Sequence, residues 1–289
     1  MLIDILFLSL MFSIFVGGIT ISFRLLGFAD LTIEGSFTLG GAVCAVLLSN
    51  GTNPVLSMLI AIIMGSIAGL GTASIHCFLK INKLLSGIIV LSMLYSVNLL
   101  VMTGPNVPLR GASTVFHYFD SNLASLLFMF IITALIFVIL WWFLSTKFGL
   151  FLRATGENEK VVIRNGYHRN WFIITGLVIS NGLIALSGAF FAQKAGAGNV
   201  NMGVGMLITM LASMIAGEKL IKPDNIIKLL LAAFVGAFLF QAVIGLALRF
   251  DIDPVYVRLL IAITLLFFLL TEKLQSRKGM VHNIGSDFI

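Results

Sequence analysis

Charge is scarce in this sequence. Of its 289 residues, 10% are Asp, Glu, Lys or Arg, where soluble domains carry about 25%. So few charges cannot cover a water-facing surface, which excludes an ordinary soluble domain. Proline is also rare, at 5 residues, and long helices are left uninterrupted. The 2 cysteines, Cys44 and Cys77, lie in apolar segments. No disulfide is expected of them, and two cysteines alone cannot hold zinc. Neither G-x-x-x-x-G-K-[ST] nor H-E-x-x-H occurs, so neither a phosphate loop for ATP nor that zinc site is expected. His76, His117, His168 and His282 are scattered and suggest neither a metal site nor a catalytic triad. The net charge of +6 does not suggest nucleic acid, because the cations sit in short loops, where they set topology.

What the sequence has is apolar length: 59% of residues are hydrophobic and 25 are Phe. Cutting at polar breaks leaves nine runs, at about Ile5–Phe23, Ser36–Leu48, Val55–Leu79, Leu84–Met102, Leu123–Leu144, Trp171–Phe191, Gly203–Ala216, Ile226–Leu248 and Val255–Leu270. A spanning helix needs roughly 20 apolar residues. Six runs reach that length; Ser36–Leu48 and Gly203–Ala216 fall short, and Val255–Leu270 is marginal. Backbone groups in lipid must bond within their own helix, so the runs are read as helices. The expected fold is an all-α, multi-pass membrane protein with about nine transmembrane helices (eight to ten). The first run is not read as a cleaved signal peptide: Asp4 precedes it and no Lys or Arg does.

Lys147, Arg153, Lys160, Arg164 and Arg169 lie between two runs, and Lys273, Arg277 and Lys278 follow the last one. Lys80 with Lys83, and Lys219 with Lys222 and Lys228, mark two more turns. The positive-inside rule makes all four cytoplasmic. Gly51–Pro54 has no cation, and Gly104–Asn122 has only Arg110. Nine crossings, with the N-terminus outside and the C-terminus inside, satisfy every loop. Arg249 and Arg258 fit their outer loop less well, although Asp251 and Asp253 offset them.

The two short runs have similar surroundings. Asp30-Leu31-Thr32-Ile33-Glu34-Gly35-Ser36 precedes one and Asn199-Val200-Asn201-Met202-Gly203-Val204-Gly205 the other. Each polar, glycine-bearing stretch leads into a short helix, a turn with Pro54 or Pro223, and a long helix. An odd number of crossings separates them, so the units would be inverted repeats with breaks in matching positions. Such breaks mark a transport pathway; the alternative is two ordinary short helices with polar caps. The expected organisation is one domain, 1–289: repeat 1 at about 5–144, a cytoplasmic loop at 145–170, repeat 2 at about 171–271 and a tail at 272–289.

Polar residues fall inside the runs: Tyr95, Ser96 and Asn98 in the fourth, Asn181 in the sixth, Gln241 in the eighth. Such groups bond between helices or contact cargo. Asp30 and Glu34 are costlier at membrane depth and suggest function, unless they sit at the cytoplasmic interface and pair with Arg24. The pathway residues selected on these grounds are Asp30, Thr32, Glu34, Gly35, Tyr95, Asn98, Asn181, Asn199, Asn201 and Gly203. Gly65-x-x-x-Gly69 allows close helix packing, either inside the fold or at a dimer seam. In the cytoplasmic loop, Asn158 can cap a helix of about seven residues, Glu159 suits its positive end, Arg164 its last turn and Gly166 its stop. Such a helix is marginal alone. It either docks on a partner or is a solvated surface loop.

Leu152-Arg153-Ala154-Thr155-Gly156-Glu157-Asn158-Glu159-Lys160, ending at Gly166, resembles the coupling loop of ABC importer permeases of the branched-chain amino acid and ribose class. Ala29–Phe37, Lys80–Ile88, Pro105–Pro108, Ser180–Leu183 and Asn199–Gly203 resemble a subgroup assigned to tryptophan, tyrosine or related small amphipathic solutes. The likeness runs from about Gly27 to Ile221. Glu159 departs from the family, which often has Pro there. The resemblance implies the permease subunit of an ATP-driven importer in the cell membrane, with an amino acid, aromatic or branched-chain, as cargo. It implies a homodimer or a paired permease, two ATP-binding subunits that hold ATP and Mg, and an extracellular solute-binding protein. Gly156, Glu157, Asn158, Glu159, Arg164 and Gly166 would couple to the ATPase. No cofactor is expected on this chain, and no enzyme activity: no catalytic cluster is visible. The competing reading is an ion-coupled secondary transporter, for which Asp30 and Glu34 are the titratable groups.

Orientation is testable by cysteine labelling in a background lacking Cys44 and Cys77. An impermeant reagent should modify Ser113→Cys in intact cells and Lys160→Cys only after permeabilisation. The reverse pattern would overturn the topology.

Overall fold

The structure, a computed structural model, describes residues 2–119, 121–250, 259 and 263. The run Val255–Leu270 and the basic tail lie outside the described residues. Helices start and stop where the sequence supplies caps. Helix α1 (Leu2–Ile19) continues as a π-helical segment, Thr20–Leu25. Helix α2 (Thr32–Ser49) follows. Helix α3 (Pro54–Leu79) has proline in its first turn, and Asn53 accepts from the Val55 N–H. Helix α4 (Lys83–Met102) is capped by Asn82, which accepts from the Leu84 N–H. A short strand, β1 (Asn106–Pro108), and a 3-10 turn, Val115–Tyr118, lead to α5 (Asn122–Ser145). Helices α6 (Lys147–Glu157) and α7 (Glu159–Arg164) precede α8 (Arg169–Ala195), which Gly196 ends in a left-handed conformation. Strand β2 (Ala197–Asn199), α9 (Met206–Ile221) and α10 (Ile226–Arg249) follow.

Among the described residues, seven helices are long and apolar enough to cross a membrane, where nine crossings are expected from the sequence. Helix α2 is one of the seven. Its run was cut at Ser36, but the helix starts at Thr32 and reaches 18 residues. Polar Thr32, Glu34, Ser36 and Thr38 lie inside it, which is tolerable because protein surrounds it: 78% of it is buried. Helix α9, at 16 residues, stays short of a full span.

The loop between α5 and α8 differs from expectation. One short helix is expected there, and two are present. Helix α6 buries Gly149, Leu152 and Thr155 against the protein, so packing stabilises a segment whose charges read as solvated loop. Helix α7 has the expected ends: Asn158 accepts from the Lys160 N–H, and Gly166 has φ of 81°.

The core is built around α8, against which α1, α2 and α3 pack. The approach to α2 and α3 is close enough to require glycine. A Cβ at Gly40 would strike the Ala185 carbonyl, and one at Gly188 would strike that of Phe37. Gly65 and Gly69 sit on Ala185, Asn181 and Leu177 of α8, so the Gly65-x-x-x-Gly69 motif serves the internal fold. Phe12, Phe15, Phe37 and Phe191 fill the space between α1, α2 and α8, ring against ring. Helix α10 packs on α9 and α1, and α5 lies outermost against α1.

Gly188→Val should therefore drive a branched side chain into the α2 backbone. Overpacking costs about 1–3 kcal/mol even where flexible side chains yield. The expected outcome is a clear fall in thermal midpoint and in monodisperse yield in detergent. Gly104→Ala, where an added Cβ meets nothing within 4 Å, should change neither.

Candidate translocation site

The chain leaves helical geometry at two glycine-bearing breaks between its apolar helices, and both carry side chains that repair the loss. The first is 26–31, between the π-helical end of α1 and α2. Phe28 is fully buried there, edge-on to His76. Asp30 is fully buried as well. Its Oδ1 accepts from the Thr32 N–H at 2.9 Å, and its Oδ2 accepts from Asn181 Nδ2 at 2.8 Å. Asn181 Nδ2 also donates to the Leu177 carbonyl, and Asn181 Oδ1 accepts from the Ser36 hydroxyl at 2.6 Å. The Thr32 and Thr72 hydroxyls bond to each other at 2.5 Å. These bonds tie the break to the middle of α8: Asn181 lies twelve residues into a 27-residue helix, roughly 18 Å along its axis.

That depth corrects one expectation. Asp30 and Glu34 do not pair with Arg24 at the cytoplasmic edge. Arg24 Nε pairs instead with Glu218 Oε2 of α9, at 3.4 Å. The π-helical segment carries Arg24 away from the break, and Asp30 folds back toward the centre of α8.

The second break is 196–205. Strand β2 pairs antiparallel with β1, with Asn106 opposite Asn199 and Pro108 opposite Ala197. This ladder fastens the α4–α5 connection to the break, and no period-2 pattern in three-residue strands announces it. Asn199 Oδ1 accepts from the Asn201 N–H. The chain then runs down α2: Gly198 abuts Ala45, Met202 abuts Gly41, and Gly203 abuts the Glu34 carbonyl. Gly205, with φ of +80°, donates its N–H to Glu34 Oε1 at 3.0 Å. The Glu34 carboxylate thus caps the positive end of α9. The second break thus meets the first turn of α2, three residues past the end of the first break.

The residues selected from the sequence separate into three groups. Glu34, Gly35, Tyr95, Asn98 and Gly203 line one crevice, with Thr38, Leu91, Val200 and Val204. Asp30, Thr32 and Asn181 form the network behind it. Asn199 and Asn201 are exposed, and Asn201 lines a second, mainly apolar cavity of about 610 Å³ bounded by Phe12, Phe191, Met206 and Gln241. Within the crevice, Asn98 is 2% exposed. Its Nδ2 donates to the Gly35 carbonyl at 3.4 Å, and its Oδ1 has no partner among the described residues.

On the other side of the first break, the α6–α7 loop is seated on the π-helical segment. Gly156 lies directly on the Leu25 and Leu26 backbone, and Gly27 takes φ of +56° beside the Gly156 carbonyl. Arg24, Arg153, Glu157 and Asp224 line a polar cleft at this seat. Lys228 bonds to Asp224 and holds its carboxyl below the usual carboxylate range. Glu159 pairs with Arg169.

The sequence profile described as branched-chain amino acid transport system, permease component, matches residues 1–270. The chain belongs to that family. As such a permease, it is a multi-pass membrane protein and a transport component of an ABC system, which pairs with ATP-binding subunits. A tyrosine transport system permease protein of Clostridioides difficile (strain R20291) is 38% identical over 267 residues, covering 92% of this chain and 90% of the relative. An uncharacterised protein of Rickettsia prowazekii (strain Madrid E) is 34% identical over 260 residues, covering 89% of this chain and 92% of its own. A solved chain of a metal-chelate type ABC transporter, in an inward-facing conformation, aligns with a TM-score of 0.54. At 19% identity, over 94% of the permease and 84% of that chain, it shares the fold.

Removing Asn181 should unfasten the first break. Asn181→Leu leaves Asp30 Oδ2 and the Ser36 hydroxyl without their partner, and each orphaned buried group costs about 1–3 kcal/mol. The thermal midpoint of the purified permease should fall markedly. Ser36→Ala removes one hydroxyl and orphans only one lone pair, so it should fall much less. Equal midpoints for the two variants would contradict the network.

Proposed function

We propose that the permease is the membrane subunit of an ATP-driven importer for an aromatic amino acid. The observation that carries this reading is that the first turn of α2 is fastened on both sides, to the second break through Glu34 and Gly205 and to the centre of α8 through Asp30 and Asn181. Paired breaks at mid-depth supply polar backbone and side chains where a solute must cross. The cavities beside them suit an amphipathic solute: one flank holds Glu34, Tyr95 and Asn98, the other Phe12, Phe191 and methionines. The tyrosine assignment of the C. difficile relative points to the same class of cargo.

On this reading the breaks belong to two inverted repeats, 5–144 and 171–271, and the N-terminus faces outside. Two ATP-binding subunits, which hold ATP and Mg, dock on α6 and α7. A second permease copy, or a similar chain, completes the membrane unit, and an extracellular solute-binding protein delivers the cargo. Seated by Gly156 on the end of α1, the loop is positioned to pass ATPase motion to the break. One observation favours an ion-coupled secondary transporter instead: among the described residues neither Asp30 nor Glu34 forms an ion pair. The charged double-helix loop has no purpose in such a protein.

Proteoliposomes holding the permease, its ATP-binding subunits and the binding protein decide between the two. Labelled tyrosine should accumulate with internal ATP and not with an imposed proton or sodium gradient alone. Gly156→Leu should cut uptake at least about tenfold while basal ATP hydrolysis continues, because the side chain lifts the loop from its seat. Gradient-driven uptake without ATP would overturn the reading.

A further inference from the structure

The crevice at Glu34 has a one-sided hydrogen-bonding character. Its buried side-chain donors are spent. Thr38 Oγ1 donates to the Glu34 carbonyl, Asn98 Nδ2 to the Gly35 carbonyl, and the Gly205 N–H to the Glu34 carboxylate. Its acceptors are not. Asn98 Oδ1 is buried without a partner, and an orphaned carbonyl in such a place requires explanation. The amide cannot be turned around to remove it, because the oxygen would then face the Gly35 carbonyl. The Glu34 carboxylate takes the backbone N–H of Gly205, and a carboxylate offers about four acceptor positions. Among the described residues no Lys or Arg lines the crevice.

We propose that this crevice is a receptor for the primary ammonium group of the transported solute, held by Asn98 Oδ1 and the Glu34 carboxylate. An ammonium brings three donors and a positive charge, which is what the site lacks. A carboxylate would meet the Glu34 charge and the Asn98 oxygen, with only the exposed Tyr95 hydroxyl among the lining side chains free to donate to it. Size agrees: the cavity is about 50 Å³, where about 10–15 Å³ on the same measure holds one water. It admits a head group and not a whole amino acid. The remainder of the solute lies outward, along the exposed side of α4 at Tyr95 and Ser96. This rests on the reading of the chain as an amino acid permease and adds the part of the cargo that it grips.

The test uses the permease with its ATP-binding subunits in nanodiscs, without a binding protein, so that only the membrane site is probed. Tyramine carries the ammonium and no carboxylate; 3-(4-hydroxyphenyl)propionate carries the reverse. Tyramine should bind and the propionate should not. Asn98→Leu and Glu34→Gln should each raise the tyramine Kd about tenfold or more, the loss expected for a charge-assisted hydrogen bond. Glu34→Gln keeps an oxygen for the Gly205 N–H, so a thermal midpoint near that of the parent separates lost binding from lost folding. Equal binding of the two probes, or an unchanged Kd in both variants, would overturn the proposal. Isopentylamine keeps this result distinct from the cargo assignment. If it binds as tyramine does but tyrosine is not imported, the ammonium receptor stands and the aromatic reading falls. If both variants import tyrosine with the parental KM, the receptor falls and the importer stands.

Discussion

A helix interrupted at membrane depth leaves backbone N–H and carbonyl groups that lipid cannot satisfy. This protein has two glycine-bearing interruptions, and most of its architecture answers to them. Around the first, Asp30 bonds the freed Thr32 N–H and is itself held by Asn181, which in turn holds Ser36. Around the second, Glu34 takes the Gly205 N–H and β1 takes the strand-like part of the break. A single hydrogen bond between membrane helices averages about 0.6 kcal/mol, so no one of these bonds explains their persistence. The asymmetry does: a buried group left unpaired costs several times what a made bond contributes.

The same requirement explains the glycines. To bring Asp30 to Asn181 and Gly203 to Glu34, α2 must lie against α8 on one side and against the 196–205 break on the other. Gly40 and Gly188 permit the first approach, Gly41, Gly198 and Gly203 the second. With α2 enclosed in this way, Thr32, Ser36 and Thr38 are buried within protein. The helix is therefore polar for a membrane span and yet among the best buried of the seven.

The first break also joins two regions that the sequence treats separately. On one side Asp30 anchors it beside the centre of α8. On the other, the π-helical end of α1 carries Gly156 of the α6–α7 loop against its backbone. A π-helical turn is rare and tends to occur at functional positions. Here it sits between the loop and the first break, and its contact with the loop at Gly156 is backbone against backbone.

Much of this was legible from residue types alone. Scarce charge and long apolar runs determined a multi-pass helical membrane protein, because lipid accepts little else. Asn158 marked a helix start and Gly166 its stop, because capping is local chemistry. The two polar, glycine-bearing stretches stood out because they break apolar runs. Other features were decided by tertiary structure. Arg24 precedes Asp30 closely in sequence, yet a π-helical turn sends it to Glu218 and leaves Asp30 to Asn181, about 150 residues away. Thr38, Leu91, Val200 and Val204 joined the crevice without any pattern of their own. Helix α6 formed where charge suggested loop, because its buried face met α8 and the end of α1. Caps and spans follow from neighbours within a turn or two of chain. A site between breaks follows from which distant helices can approach, and that depends on shape, which no linear pattern carries.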